Sequence, residues 1–136
     1  MNHRVSGRKF SRTHNQRKAL LRGLVTSLFE HQSIETTVAK AKAIKPIAER
    51  LVTISKRNDL HSKRLVMSYL YTRSAAVKLF SEIAPRFANT NGGYLRIIKT
   101  RQRVNDRAPM AIIQFTDYEV KQPTKKKEEK KEEKKS

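Results

Sequence analysis

The chain has 136 residues, which suffice for one domain with terminal extensions but not for two ordinary domains. Its 31 Lys and Arg residues exceed its 12 Asp and Glu residues, and the formal charge of +19 favours a polyanionic partner, nucleic acid before any other. The absence of cysteine excludes disulfides, thiolate catalysis and Cys-ligated zinc, and no apolar run approaches the roughly eighteen residues of a membrane span, so we expect no membrane partner.

The positive charge begins near the N-terminus, where no acidic residue precedes Glu30. The cations before Glu30 are Arg4, Arg8, Lys9, Arg12, Arg17, Lys18 and Arg22. Residues 1–15 have no apolar period, so they predict an extended basic arm that gains order on its partner.

From Gln16 the pattern changes to that of an amphipathic helix. Its apolar stripe consists of Leu20, Leu21, Leu24, Val25, Leu28 and Phe29. Thr13 or Asn15 can supply the N-cap. Basic residues at a helix N-terminus oppose the macrodipole, so we interpret the cations on the other side as functional.

A short strand, Ser33–Val38, is predicted from its alternating β-branched residues. Thr37 can then cap a second helix that extends to about Arg57. Because Pro46 removes a hydrogen bond inside that helix, we expect a kink or a break near residues 42–45.

Two further helices follow the stop signal at Asn58 and Asp59. The third helix should extend to about Tyr71, and the fourth should run from Ser74 or Ala75 to Ala84, where Pro85 ends it. The side chains predicted to be buried are Leu65, Val66, Tyr69 and Leu70 in the third helix and Val77, Phe80 and Ile83 in the fourth.

The C-terminal part of the domain predicts a β-hairpin. A turn at residues 89–93 leads into strands over residues 94–103 and 110–117, joined by a charged loop. Residues Ala111, Ile113 and Phe115 should face the helices. The faces of the first strand are ambiguous, because Leu95 and Ile97 alternate in phase with Lys99 and Arg101.

Residues 119–136 form a low-complexity Lys/Glu tail with no apolar residue to bury after Val120, and we expect it to be solvated. Residues 121–136 contain eight Lys and four Glu, so the tail carries only a small part of the positive charge. The basic character therefore belongs mainly to residues 1–118.

No pattern of catalytic or metal-ligating residues is present, and we predict neither an enzyme nor a cofactor. The histidines, His3, His14, His31 and His61, form no i,i+4 pair that could bind a metal. Gly92 and Gly93 lack the spacing and the following Lys of a phosphate-binding loop, so they indicate a turn.

Three groups of cations are instead the candidate binding site. The arm surface comprises the seven cations before Glu30. The junction surface comprises Lys56, Arg57, Lys63 and Arg64, and the hairpin surface comprises Arg96, Lys99, Arg101, Arg103 and Arg107. Each group alone could be a solvated face, but together, with few acids between them, they favour a phosphate-binding surface. Phe10 and Tyr94 could stack on bases, although Tyr94 could equally belong to the core.

Two classes of nucleic-acid-binding protein remain open from the residues alone. One is a free basic DNA- or RNA-binding architectural or regulatory protein, which would present a recognition helix or wedge residues. The other is a structural RNA-binding protein that inserts a basic arm into folded RNA. An arm that precedes the domain favours the second class.

Several strings resemble the bacterial-type large-subunit ribosomal protein seventeen family. They are Gly7-Arg8, Arg12, residues 16–22 (QRKALLR), residues 34–37 (IETT), Ala41-Lys42, residues 78–80 (KLF), Gly92-Gly93-Tyr94 with Arg96, Ile97 and Lys99, Asn105-Asp106, and residues 108–113 (APMAII). The resemblance covers residues 2 to 118 in order, and the joint match is highly specific.

The resemblance implies an α+β domain over residues 16–118, with about four helices packed on a small mixed three-stranded sheet. It also implies a cytoplasmic structural constituent of the large ribosomal subunit, which binds large-subunit (23S-type) rRNA near the peptide exit side and contacts neighbouring ribosomal proteins. Residues 1–15 then become an rRNA-binding arm, and the three cationic surfaces become candidate rRNA contacts. Asn2, Pro46 and the tail depart from the family pattern.

Overall fold

The computed structural model describes residues 7–118, so the predictions for Arg4 and for the tail lie outside the described residues. The elements are α1 (His14–His31), β1 (Ser33–Thr37), α2 (Val38–Ser55), α3 (Leu60–Tyr69), α4 (Arg73–Lys78), a π-helical turn (Leu79–Ile83), α5 (Ala84–Arg86), β2 (Leu95–Gln102) and β3 (Pro109–Phe115). Because α4, the π-helical turn and α5 follow one another without interruption, the described chain has four helical segments and three strands. The predicted α+β class is confirmed.

Helix α1 begins at His14, two residues before the predicted start. Thr13 is its N-cap, as the sequence predicted: the Thr13 hydroxyl accepts a hydrogen bond from the Gln16 N–H at 3.5 Å, and Gln16 Oε1 accepts one from the Thr13 N–H at 3.3 Å. This reciprocal pair is a capping box. The first turn of α1 contains no acid, so side-chain caps rather than charge stabilise its N-terminus.

The three strands form one sheet in the order β1-β3-β2, and both pairings are antiparallel. The expectation of a mixed sheet is therefore wrong, while the number of strands is confirmed. β1 and β2 do point in the same direction, since each is antiparallel to β3. Because β3 lies between them, no parallel pair forms.

One face of the sheet packs against the helices and holds the core. Ala111, Ile113 and Phe115 are fully buried on this face, as predicted. The Phe115 ring lies 6.2 Å from the ring of Phe29 in α1 and 5.8 Å from the ring of Phe87. Aromatic contacts of this kind join α1 and the end of the helical layer to the central strand.

The register of β2 resolves its two faces. Leu95 pairs with Phe115, and Ile97 pairs with Ile113, so both face the helices. Ile98 lies on the opposite face and is 43 % exposed. Lys99 pairs with Ala111 but is exposed, and the register shifts between Lys99 and Gln102, so the alternation is interrupted at Arg101, which is also exposed.

Helix α2 is continuous through Pro46, so the predicted break is wrong. Pro46 is exposed, and so is Lys42, whose carbonyl loses its helical partner. That carbonyl lies on the solvent side of the helix, where water can hydrate it. The opposite side carries Ile44 and Ala48 into the core, and this packing holds the helix together.

The buried positions of α3 and α4 differ from the prediction at Leu65 and Val77, which are 43 % and 53 % exposed. Val66, Leu70 and Ile83 are buried as predicted. Val77 precedes the π-helical turn, and α4 buries Ala75 and Ala76 instead of Val77. The residues buried along this segment are Ala75, Ala76, Leu79, Ile83 and Ala84.

Pro85 does not end the fourth helical segment, which continues to Arg86. Pro85 occupies the first turn of α5, where a missing N–H costs little. The π-helical turn has already changed the hydrogen-bond pattern at this point, so the proline fits without a break.

Candidate nucleic-acid interface

Five cations of the arm surface have side chains without a protein partner among residues 7–118. Arg8, Lys9 and Arg12 precede α1, and Arg17 and Lys18 lie in its first two turns. Within residues 7–118, none of these five side chains donates a hydrogen bond to a protein acceptor or lies in an ion pair. Their charge is therefore available to an external anion.

The arm contacts the rest of the fold at the start of α2. A groove with a volume of about 490 Å³ is lined by Gly7, Arg8, Val38, Ala39, Lys42, Ala43 and Pro109. Gly7 has a φ of +85°, a backbone conformation that glycine adopts without strain. Since Pro109 begins β3, the groove brings the arm beside the hairpin. Arg107 lies two residues before Pro109, so the arm and hairpin surfaces are neighbours.

The junction surface lies at the other end of α2. The last groove residue of α2 is Ala43, and the 13 residues from there to Lys56 correspond to about 20 Å of helix. Lys56 donates a hydrogen bond to the Thr90 carbonyl at 2.8 Å, and its Nζ lies 5.6 Å from the centre of the Tyr94 ring. Arg57, Lys63 and Arg64 are exposed.

Tyr94 is a core residue, with 2 % of its surface exposed, so it is not placed to stack on a base. The Thr53 hydroxyl lies 3.5 Å from the Tyr94 hydroxyl, and this hydrogen bond lowers the pKa of Tyr94, with Lys56 adding to the effect. Phe10 is half-buried and has a φ of 56°. The turn predicted at residues 89–93 is confirmed, since Gly92 and Gly93 have φ values of 100° and 66°.

Several cations of the hairpin surface are paired within the protein. Arg103 donates to both carboxylate oxygens of Asp106, at 2.8 and 2.7 Å. This bidentate bond lowers the pKa of Asp106 well below its usual range. Arg101 lies 3.8 Å from Glu35 of β1, a looser contact between exposed groups.

Of the other hairpin cations, the Arg96 side chain has a hydrogen-bond partner in the described part of the chain, whereas those of Lys99 and Arg107 do not. With the Gln114 amide oriented so that its oxygen faces β2, that oxygen accepts from Arg96 Nε at 2.9 Å and from Arg96 Nη2 at 2.6 Å. The side chains of Lys99 and Arg107 are exposed, and neither has a hydrogen-bond acceptor or an ion-pair partner within residues 7–118.

Arg22 differs from the other cations of α1 because the fold uses its guanidinium. Nε donates to the Tyr69 carbonyl at 2.6 Å, and Nη2 donates to the Ser68 carbonyl at 3.0 Å. These carbonyls belong to the last turn of α3, where no helical N–H can reach them. Arg22 therefore caps α3. Burial raises the pKa of Tyr69, and the nearby Arg22 charge partly offsets this effect.

Two further residues with a place in such an interface were not among the predicted contacts. Lys42 lines the groove beside Arg8. The sequence did carry a signal for it, since Lys40, Lys42 and Lys45 occur in a stretch without an acid. Tyr71, whose ring packs on Arg22, gave no such signal, because its neighbours in space are distant in the sequence.

Among the described residues, no three His, Asp or Glu side chains come close enough together to hold a metal ion. The helices formed by residues 7–118 include none that has both the length and the apolar character to cross a bilayer. The chemical character of the described surface is thus dominated by Lys and Arg.

Comparison with known proteins gives a consistent result. Residues 20–116 match the family model described as ribosomal protein L17. The large ribosomal subunit protein bL17 of Thermodesulfovibrio yellowstonii is 63 % identical over 118 residues, which cover 87 % of this chain and 89 % of that protein. The bL17 proteins of Desulfotalea psychrophila and Symbiobacterium thermophilum are each 51 % identical, over 88 % and 79 % of this chain and 92 % and 95 % of their own lengths.

Proposed function

Because the chain belongs to the ribosomal protein L17 family, we propose that it is a structural constituent of the large ribosomal subunit that binds 23S-type rRNA through its arm and hairpin surfaces. The family is structural and not enzymatic. As a ribosomal component, the protein works in the cytoplasm. In this proposal residues 1–15 form the arm, residues 16–118 the domain and residues 119–136 a solvated tail.

The observation that carries the proposal is the set of unpaired cations on the arm surface. Arg8 and Lys42 line one groove, and Arg107 lies close to its Pro109 edge in sequence. Closely spaced RNA phosphates repel one another and condense counterions. Cations that replace those counterions stabilise a compact RNA fold, and Arg can bind a phosphate through two parallel N–H groups.

A triple variant tests the arm surface directly. We expect Arg8→Ala, Arg12→Ala and Arg17→Ala together to weaken binding to deproteinised large-subunit rRNA and to reduce the slope of log K against log salt by about 2 to 3. The matched control replaces Lys125, Lys126 and Lys127 of the tail by Ala, which removes the same charge. If both variants change the slope equally, the arm is not the anchor.

Association with the ribosome distinguishes this function from that of a free DNA- or RNA-binding regulator. We expect the endogenous protein to co-sediment with large subunits through a high-salt wash. Recovery only in the ribosome-free pool would overturn the proposal. The position near the peptide exit side is carried by the family resemblance, and cryo-electron microscopy of the assembled subunit would show whether the protein lies there or elsewhere.

Contacts with neighbouring ribosomal proteins are the remaining part of the proposal. The exposed side of α3 carries Leu60, Leu65 and Met67, which are 64 %, 43 % and 47 % exposed. Apolar side chains gain little from RNA phosphates but can pack against another protein. We expect Leu60→Ser with Met67→Ser to reduce the content of a neighbouring protein in purified subunits, measured by mass spectrometry, without weakening rRNA binding. Unchanged subunit composition would contradict this assignment.

A further inference from the structure

The loop after α3 presents an aromatic ring in a fixed position. Leu70 has an extended backbone, with φ −75° and ψ 151°, so the chain leaves the helix before Tyr71. The Tyr71 N–H then donates a hydrogen bond to the Thr26 hydroxyl of α1 at 3.3 Å. Thr26 Oγ1 in turn donates to the Arg22 carbonyl at 2.8 Å. These bonds hold the backbone of Tyr71 against α1.

The Tyr71 ring packs on the guanidinium of Arg22. The central carbon of that guanidinium lies 4.5 Å from the centre of the Tyr71 ring, and the bonds to the Ser68 and Tyr69 carbonyls fix its orientation. A cation at this distance over an aromatic face is attracted by the ring quadrupole. Arg22 therefore positions the ring, although it presents little of its own charge to an external ligand.

More than half of the Tyr71 surface, 54 %, is nevertheless exposed. Because Arg22 covers one face of the ring, the exposed area belongs to the opposite face and the outer edge. An aromatic ring that is fixed on one side and open on the other has already lost the rotational freedom that binding would otherwise remove. It is a preorganised flat surface.

The charge around this ring is positive. Lys18 lies one turn before Arg22 on α1, and Arg73 follows Tyr71 by two residues, both exposed. Glu30 is the acid that contacts the residues following Tyr71. Its carboxylate accepts hydrogen bonds from the Thr72 hydroxyl at 2.6 Å and the Ser74 hydroxyl at 3.2 Å. Two exposed cations thus accompany one acid that is already hydrogen-bonded.

We propose that the open face of Tyr71 stacks on an unpaired RNA base, with Arg22 as the positioning residue behind the ring. This inference rests on the proposed rRNA-binding function and names a contact within it. Unstacked bases of single-stranded RNA segments commonly stack on aromatic side chains, and flanking Lys and Arg hold the adjacent phosphates. Lys18 and Arg73 are placed to supply those phosphate contacts.

A base is a better fit than a protein surface for two reasons. The ring leans on α1 and its cations, and the extended Leu70 separates it from the helical stripe that includes Leu60 and Met67. The Arg22 guanidinium also makes the stack cationic, which suits the electron-rich π-face of a base beside its phosphates.

The chain contains no tryptophan, so Tyr71→Trp introduces a single fluorescent reporter. The full chain carrying this substitution is titrated at low salt with a single-stranded oligoadenylate and with an RNA duplex of equal phosphate number. Anisotropy of labelled RNA measures binding independently. We expect both RNAs to bind but only the oligoadenylate to quench the tryptophan strongly.

The outcomes separate the two proposals. Binding without quenching, or equal quenching by both RNAs, overturns base stacking and leaves the cationic interface intact. If the anisotropy of the labelled RNA shows that neither RNA binds, both the rRNA-binding function and the stacking proposal are overturned.

Side-chain replacements provide a second measurement. Tyr71→Phe keeps the ring and should bind oligoadenylate within about twofold of the natural chain, whereas Tyr71→Leu keeps an apolar side chain without a π-face and should bind about tenfold more weakly. Both retain the backbone hydrogen bond to Thr26. Equal affinity of Tyr71→Leu and the natural chain would overturn stacking in favour of an apolar or purely electrostatic contact.

Discussion

The arm surface and the hairpin surface contain similar numbers of cations but use them differently. On the arm surface, the side chains of Arg8 and Arg12 have no hydrogen-bond acceptor within residues 7–118. On the hairpin surface, Arg103 is held by both carboxylate oxygens of Asp106, and Arg101 lies near Glu35. Charge counted along the sequence therefore overestimates the charge that the hairpin has available for an anionic partner.

The same contrast has a structural cause. The first acid in the chain is Glu30, near the end of α1, so the arm has no acid within its own sequence. In the hairpin, Asp106 lies three residues after Arg103 in the connecting loop, and the antiparallel sheet brings Glu35 of β1 near Arg101. The hairpin therefore has one acid in its own loop and gains another through the sheet.

The largest expected effect comes from removing the support of the hairpin. Phe115 is fully buried against Phe29 and Phe87. We expect Phe115→Ala to lower the free energy of unfolding by about 3 to 5 kcal/mol, measured by urea denaturation. Val104→Ala, at an exposed loop residue, is the control and should change it by less than about 0.5 kcal/mol. Similar values for the two variants would show that the hairpin does not depend on this packing.

Arg22 and Arg17 offer a comparison of two cations on one helix. The Arg22 side chain makes two hydrogen bonds to carbonyls of α3, whereas the Arg17 side chain makes none to the described residues. We expect Arg22→Ala to destabilise the fold by about 2 kcal/mol, because it leaves those carbonyls uncapped. Arg17→Ala should change stability by less than about 0.5 kcal/mol but weaken rRNA binding. The reverse order of stabilities would contradict this division.

Asp106→Asn should leave Arg103 of the hairpin without an ion-pair partner, as the arginines of the arm within residues 7–118 are. Loss of the carboxylate charge leaves Arg103 without its ion pair. We expect rRNA binding to strengthen and its salt slope to increase by about 1. Asp117→Asn breaks the pair with Arg86, which lies outside all three cationic surfaces, and serves as the control. An unchanged slope for Asp106→Asn would mean that Arg103 does not reach a phosphate.

The smallest expected effect is that of lowering the pH from 7 to 5 on the salt dependence of rRNA binding. Arg103 lowers the pKa of Asp106 below the ordinary value of 3.8. A carboxyl group whose pKa is lowered by folding contributes stability above its unfolded pKa, and the contribution is lost as the pH falls through the folded pKa. The Arg103–Asp106 pair should therefore persist from pH 7 to pH 5. Over that range we expect the difference in salt slope between the natural chain and Asp106→Asn to stay constant. A difference that shrinks toward pH 5 would indicate that the pair opens.

Local signals predicted the elements of the fold well. Thr13 and Asp59 stand at helix starts, and each side chain accepts a hydrogen bond from the N–H three residues on. The hydrogen bond from the Ser62 hydroxyl and that from its N–H lower the pKa of Asp59. Such caps depend only on neighbouring residues, so the sequence is sufficient to predict them.

The errors arise where tertiary packing overrides a local rule. Pro46 was expected to kink or break α2, yet the helix does not break, because its buried face packs against the core. Val77 was expected in the core, but α4 buries Ala75 and Ala76, and Leu79 continues that buried stripe. A period of 3.6 residues fits more than one stripe in so short a helix, and packing against the other elements decides which stripe is buried.

The sequence by itself determined that the chain is strongly basic, that its first acid is Glu30, and that alternating and helical apolar patterns make an α+β domain. These features are local, because they depend on composition and on neighbours within a few residues. The candidate cations could therefore be identified without a structure.

Only the tertiary structure decided which of those cations are available to a partner. The Arg22 side chain donates a hydrogen bond to the carbonyl of Tyr69, 47 residues later in the sequence, and the same guanidinium packs on the ring of Tyr71. Hydrogen bonds between such distant residues are created by helix packing, and neither periodicity nor charge pattern encodes them. Among residues 7–118, the side chains of Arg8 and Arg12 have no acceptor, whereas the fold uses Arg22.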